Sequence, residues 1–204
     1  MKKSISILVL LTLAAGGAFA IDMAAGGGLM FDFSGNNGVE YAGYYEGLRV
    51  TSFGAFGFFD FTYAEIDLYL TYGSVTAVAE GGGLNETADV GSMIQLGFSL
   101  LGKYPIDMSS MTLFPLAGIS YNRVLSYEIE GISFPDAGEW LSQFGFLLGL
   151  GLDYSFTESI FLRAEGLFNI RLSTKLQDES VKGTPASTTW GMGPRIKVGI
   201  GYKF

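Results

Sequence analysis

The chain has 204 residues with no Cys and no His, and 20 acidic against 12 basic side chains, for a net charge of −8. It therefore has no Ser-His-Asp or Cys-His nucleophile arrangement and no imidazole or thiolate zinc site, and the surplus of negative charge argues against a nucleic-acid partner. Only 16% of its residues are charged and 15% are aromatic, where soluble domains average about 25% charged, yet no apolar run approaches the ~20 residues of a membrane-spanning helix.

A chain this poor in charge and without a helical span has one remaining way to cross a bilayer. It must close its strands into a barrel, because a lipid-exposed sheet edge would leave backbone polar groups unpaired. At the start, Met1-Lys2-Lys3 is a short basic region, residues 5–13 are mostly apolar, and Ala18-Phe19-Ala20 is a small-x-small cleavage site. The apolar core is too short to span, so residues 1–20 read as a secretory signal peptide and residues 21–204 as one mature barrel domain. With no Cys there is no lipobox cysteine to carry a lipid and no disulfide.

The mature chain divides into eight stretches of about the 9–11 residues that a tilted membrane strand needs. In the first, residues 23–33, Ala25, Leu29, Phe31 and Phe33 share one face, and Gly26, Gly28, Met30 and Asp32 the other. The second, residues 48–59, alternates least regularly; Val50, Phe56 and Phe58 are its expected outward set, with Arg49 and Thr51 inward. The third sets Ala64, Ile66, Leu68, Leu70 and Tyr72 against Tyr63, Glu65, Asp67, Tyr69 and Thr71. In the fourth, Ile94, Leu96, Phe98 and Leu100 oppose Gln95, Gly97 and Ser99. The fifth, about 112–127, has Ala117, Ile119 and Tyr121 opposite Gly118, Ser120 and Asn122. The sixth opposes Phe144, Phe146, Leu148, Leu150, Leu152 and Tyr154 to Gln143, Gly145, Gly149, Gly151 and Asp153. The seventh opposes Leu162, Ala164, Phe168, Ile170 and Leu172 to Arg163, Glu165, Asn169 and Arg171. The eighth begins near Trp190 and runs to Phe204. Period-2 alternation of this kind marks strands with one apolar and one polar face.

Short turns are expected near 59–61, 105–110 and 155–159, and longer polar loops near 34–47, 79–91, 128–140 and 173–189. Short connections at one end and long ones at the other match an outer-membrane barrel, and an even strand count puts both termini on the short-turn side. Alternation alone leaves open which face is outward, since a soluble lipocalin-like barrel has the same period. Two features favour an apolar exterior. The polar face is rich in Gly (97, 145, 149, 151, 199 and 201), which suits a crowded lumen. Aromatic residues also gather near strand ends, with Tyr72, Tyr121, Phe144 and Trp190 at the long-loop end and Phe58, Tyr104, Tyr154, Tyr202 and Phe204 at the other, like the two interfacial girdles of a membrane barrel.

The expected lumen then carries Asp32, Arg49, Glu65, Asp67, Asp153, Arg163, Glu165, Arg171, Arg195 and Lys197. Eight strands leave an interior that side chains just fill, and a lone charge there is costly. These side chains are therefore expected to pair and plug the lumen rather than line an ion pathway. Leu116, Leu147 and Leu167 would line a small apolar pocket, which keeps a narrow porin-like conduit for small hydrophobic molecules as the alternative. The long loops are acidic (among them Glu40, Glu46, Glu86, Asp89, Glu128, Asp136, Glu139 and Asp178), which reads as a solvated rim or as a surface for an extracellular ligand. No calcium-loop spacing is present, and no carboxylate spacing singles out a catalytic pair, so neither a cofactor nor an enzymatic activity is expected.

The last eight residues, Lys197-Val198-Gly199-Ile200-Gly201-Tyr202-Lys203-Phe204, place Val, Ile, Tyr and Phe at even positions and Lys, Gly, Gly and Lys at odd ones. This stretch resembles the closing strand of the outer-membrane β-barrel family, polar-x-Gly-x-x-aromatic-x-Phe, with Lys197, Gly199, Tyr202 and Phe204 in the four defining places. The resemblance implies that the barrel-assembly machinery reads this segment. Over the whole mature chain the architecture resembles small barrels of the OmpA, OmpX and OmpW kind, though without the periplasmic peptidoglycan-binding domain of OmpA. It implies an all-β, eight-stranded antiparallel up-and-down transmembrane β-barrel in the outer membrane of a diderm bacterium, in contact with outer-membrane lipid, with both termini periplasmic. The implied role is structural or surface contact, as in OmpX, or passage of small molecules, as in OmpW.

Overall fold

The computed structural model describes residues 22–41, 44–81, 84–129, 131–134, 142–172, 187–188 and 191–204. The expected signal peptide and Trp190 lie outside these. Among the described residues, eight long strands form the wall: β1 (Met23–Tyr41), β2 (Tyr44–Phe61), β3 (Ala64–Gly81), β4 (Leu84–Lys103), β5 (Met111–Ile129), β6 (Gln143–Ser155), β7 (Ile160–Leu172) and β8 (Gly191–Lys203). Each pairs antiparallel with its neighbour in the chain. The last returns to the first, from Ala24↔Lys203 to Asp32↔Arg195, and so closes the sheet. The fold is an all-β, eight-stranded, antiparallel up-and-down barrel. Closure leaves no long edge with unpaired N–H and C=O groups.

Strand β8 shows why these residues take this form. Met192, Ile196, Val198, Ile200 and Tyr202 are exposed on the outside, while Gly191, Gly193, Arg195, Lys197, Gly199 and Gly201 are buried on the inside. The period-2 pattern is therefore inverted relative to a water-soluble barrel, with the apolar set outward and the charged set inward.

The two ends of the barrel differ. At one end Phe204 N–H donates to Met23 O (3.0 Å) and Lys203 N–H to Ser159 O (2.8 Å), beside the turns at 62–63 and 156–159. Both described chain ends lie there. At the other end β1 and β2 stay paired as far as Tyr41↔Tyr44, and β3 and β4 as far as Gly81↔Leu84. Residues 34–47 and 79–91, expected as loops, are thus mostly paired ribbon. Both stretches are rich in Gly and polar residues, but a ribbon is held by its backbone ladder and does not need an apolar face. Register shifts near Ser34/Asn37, Val75/Thr76 and Ile94/Gln95 re-aim side chains where the ribbons leave the wall. On β5 the inward set accordingly changes from Asn122 and Val124 to Tyr127.

Strand β2 corrects the expected face. Val50, Phe56 and Phe58 are buried, whereas Arg49, Thr51 and Phe53 are exposed. Register is the reason. Asp60 pairs with Glu65, and Phe58 with Asp67, both of which face inward on β3. Residues directly opposite one another share a face, so the even-numbered residues of β2 are inward and Arg49 is carried to the outside. The strand also continues through Phe61 into a turn at Thr62–Tyr63, so Asp60 is a lumen residue and not part of the turn.

Candidate functional site

The interior of the barrel holds the chemistry this chain has. Near the short turns, Arg163 on β7 uses all three nitrogens. Nε and Nη2 donate to the two oxygens of Asp153 (2.7 and 2.6 Å), Nη1 donates to Glu65 (2.5 Å), and Nη2 also donates to Asp60 (2.5 Å). Lys103 is paired with the same Asp60 oxygen. Glu65 uses its other oxygen to accept from Lys197 Nζ (2.9 Å), which also reaches Asp67 (2.8 Å) and Glu165 (2.6 Å). This lower network of three bases and five acids is continuous through Glu65, which is fully buried.

Higher in the lumen, Asp32 takes two guanidinium groups. Arg195 donates to its Oδ2 through Nε and Nη2 (2.8 and 2.5 Å), and Arg171 Nη2 lies 2.6 Å from Oδ1. Arg195 Nη1 also reaches the Tyr69 hydroxyl (3.1 Å), which donates to Asn122 Oδ1 (2.8 Å).

Aromatic rings lie against the cations. Arg163 stands 4.4 Å from the Phe58 ring centre, 5.1 Å from Phe114 and 5.2 Å from Phe161. Lys197 is 4.7 Å from Phe56, Lys103 is 4.6 Å from Phe114, and Arg195 is 4.6 Å from Tyr69. The lumen has room for rings because the strands beside them carry Gly. Phe58 covers Gly26, Tyr69 covers Gly97, Phe114 covers Gly151 and Phe161 covers Gly201, each ring occupying the space a Cβ would need. A ring face toward a desolvated cation is attractive by up to about 2 kcal/mol, so the interior is a stable place for these phenylalanines.

Apolar clusters flank the charges. Ala24, Met30, Phe56, Phe58, Tyr69 and Phe161 pack on one side. Leu116, Leu147 and Leu167, singled out from the sequence, pack together with Leu101 and Phe114 on another. Towards the long ribbons, Val50, Val75, Met93, Val124 and Tyr127 form a third cluster. Phe134 packs against it, its N–H bonded to Tyr127 O at 2.9 Å.

Of the ten residues expected in the lumen, Asp32, Glu65, Asp67, Asp153, Arg163, Glu165, Arg171, Arg195 and Lys197 are buried and ion-paired. Arg49 is not among them, for the register reason given above. Asp60 and Lys103 join the network unexpectedly. The signal for Asp60 was the spacing Phe56-x-Phe58-x-Asp60, which continues one face of β2. Among the girdle residues, Tyr72, Tyr121, Tyr104, Tyr154 and Tyr202 are exposed on the outside, and Phe144 is half-exposed. Phe58 points into the lumen instead, because Gly26 and Arg163 make a site for it there. In the closing segment, Gly199 and Lys197 face inward, and Tyr202 and Phe204 face outward with their rings stacked at 6.5 Å.

No family model and no curated protein matches the chain. Among solved structures it is similar to Neisserial surface protein A, at 13% identity and a TM-score of 0.49, covering 89% of this chain and 97% of that one. It is similar to the Escherichia coli outer membrane protein W at 12% identity and a TM-score of 0.45, covering 91% and 98%. It is also similar to the N-terminal β-barrel domain of Pseudomonas aeruginosa OprF at 16% identity and a TM-score of 0.40, covering 89% and 97%. These are small outer-membrane barrels, and what this chain shares with them is the closed antiparallel barrel.

Proposed function

We propose that this chain is a non-enzymatic integral barrel of a diderm outer membrane, with a lumen closed to ions and a structural or surface-contact role. One observation carries the reading: each wall strand turns a set of exposed apolar side chains outward, while the inward charges pair with one another. Leu29 is 59% exposed and Leu148 66%, and both belong to a belt of Leu, Ile, Val and Phe that circles the barrel. In water that belt would cost about 25 cal/mol per Å², and it is far more continuous than the patches soluble monomers carry. Hydrocarbon removes the cost.

The short-turn end, with both described chain ends, is the periplasmic side in this proposal, and the long ribbons with Glu86, Asp89 and Glu128 are the extracellular side. A cysteine-labelling reagent added to intact cells should leave Asp107→Cys, at the short-turn end, unmodified. Single-channel recording of the refolded barrel in a planar bilayer tests the closed lumen. The expected result is no steady current, and a reproducible unit conductance rejects it. A second reading, passage of small apolar molecules, draws on the leucine cluster and on the apolar cluster at the ribbon end. Faster entry of an apolar dye into barrel-containing vesicles than into empty ones would favour it. In the first reading the barrel-assembly machinery recognises Lys197, Gly199, Tyr202 and Phe204, and Phe204→Ala lowers the amount of heat-modifiable, membrane-inserted protein in cells.

A further inference from the structure

The upper network leaves hydrogen-bonding groups unmet. Among the described residues, Asn122 Nδ2, Ser120 Oγ, Arg171 Nε and both amide atoms of Asn169 are buried with no hydrogen-bond partner, and Asp32 Oδ1 has only its ion pair with Arg171. Their residues are all at least nine-tenths buried, and Asn169 is fully so. The sheet register brings them together. Ser120, Gly145 and Arg171 stand in one row across β5, β6 and β7. Asn122 lies two residues beyond Ser120 toward the ribbons, and Asn169 two residues before Arg171 toward the short turns, so the four face the lumen in rows on and to either side of Gly145. Gly145 has no side chain to fill that spot. A Cβ there would stand 2.6 Å from Asn169 Oδ1 and 2.9 Å from Ser120 Oγ, so both of these side chains lean over its bare backbone.

The charge of this layer points the same way. Arg171 and Arg195 share the carboxylate of Asp32, which leaves one formal positive charge in excess among the described residues of the upper network. Apart from Asp32 Oδ1, which Arg171 meets as an ion pair, the unmet groups are donors or can act as donors: an amide N–H of Asn122, a guanidinium N–H, a hydroxyl, and an amide of Asn169 whose two ends are equally free to exchange by a half-turn. A cation would meet the guanidinium groups. Water would satisfy the donors and leave the charge. A small anion satisfies both.

We propose that the barrel holds one monovalent anion of about the size of chloride, bound by Ser120 and Asn122 on one side and by Asn169 and Arg171 on the other. The anion completes the upper network in the way that Glu65 and its neighbours complete the lower one. Because it binds the folded barrel and has no site in the unfolded chain, it stabilises the fold in proportion to the logarithm of its concentration.

Two measurements on the full barrel test this. Crystals grown from protein refolded in sodium bromide should show an anomalous peak touching Ser120, Asn122, Asn169 and Arg171. A peak there of water height with no anomalous signal overturns the proposal. In solution, barrel refolded in vesicles should unfold at a higher urea concentration in sodium chloride than in sodium gluconate of equal ionic strength. Equal midpoints overturn it. The chloride-dependent shift should fall at least several-fold in Asn169→Leu and in Ser120→Ala, and persist in Leu148→Ile on the outer wall. If Asn169→Leu does not refold, Ser120→Ala decides alone, since it removes a single hydroxyl. A full-sized chloride shift in Ser120→Ala removes these residues from the site.

Discussion

Near the short turns one guanidinium, that of Arg163, is surrounded by three carboxylates, Asp60, Glu65 and Asp153. Higher in the lumen one carboxylate, that of Asp32, is surrounded by two guanidinium groups, those of Arg171 and Arg195. In the lower network every Arg163 nitrogen has an acceptor and three rings lie against the cation. In the upper network two guanidinium groups share one carboxylate, and among the described residues buried amides, a hydroxyl and Arg171 Nε go unmet. An interior this narrow is filled by pairing as much as by packing, and the local ratio of acids to bases decides whether pairing completes. Where acids are in excess the cations are saturated. Where bases are in excess donors remain.

The comparison is broken most strongly at Arg163. Arg163→Ala leaves three buried carboxylates facing one another with only Lys103 and Lys197 nearby. Losing one partner of a buried ion pair costs about 3–5 kcal/mol, so the urea midpoint of the refolded barrel should fall by a corresponding amount. The variant should also pass current where the parent barrel does not. An unchanged midpoint would mean that water already screens this network.

Arg195→Ala should cost less. Asp32 keeps Arg171, and what is lost is a set of hydrogen bonds around a still-paired charge, worth about 1–3 kcal/mol. The same unfolding assay compares the two variants side by side. Equal losses would remove the distinction between the lower and upper networks.

How far this arrangement was legible from the sequence depended on the strand. On β3 from Ala64 to Tyr72 and on β8 from Arg195 to Phe204 polar or glycine positions alternate with apolar ones, and the face could be read directly. On β2 they could not, because the strand has phenylalanine on both faces: Phe53 faces outward, Phe56 and Phe58 inward. Hydrophobicity alone sends all three to the exterior. The deciding facts are non-local, namely a bare Gly26 on the neighbouring strand and an Arg163 reaching across from β7, and no window along one strand contains them. Lys103 was missed for a related reason, since it is the last residue of its strand and its partner Asp60 sits on what looked like a turn. The ribbons at 34–47 and 79–91 were hidden by a composition rich in Gly and polar residues, which says nothing of backbone pairing. Within the lumen, the three leucines at 116, 147 and 167 were legible as a set because each falls on the polar face of its own strand.

Phe58→Leu tests the corrected face of β2. Leucine keeps most of the apolar volume but gives up the ring over Arg163 and the cover on Gly26. The loss should be about 0.5–2 kcal/mol, the range of a cation–π contact between exposed and desolvated settings. Phe53→Leu, on the outer face, should change the midpoint less. If Phe53 proves the more sensitive of the two, the register assigned to β2 is wrong.

The smallest effect is expected at Leu148, and its neighbour makes it informative. Leu147 is buried and packs with Leu101, Phe114, Leu116 and Leu167, whereas Leu148 is 66% exposed on the outer wall. Replacing leucine by isoleucine conserves volume and changes shape. In a packed interior the new branch must fit fixed neighbours, and such swaps cost up to about 1.5 kcal/mol. Against fluid hydrocarbon no neighbour is fixed, so Leu148→Ile should stay within about 0.5 kcal/mol of the parent. Both variants can be unfolded in the same vesicles, so lipid composition cancels in the difference. A loss at Leu148 as large as that at Leu147 would mean that the outer wall packs against a shaped surface, such as another protein or a second barrel. The reading of that wall as a lipid-facing belt would then fail at this position.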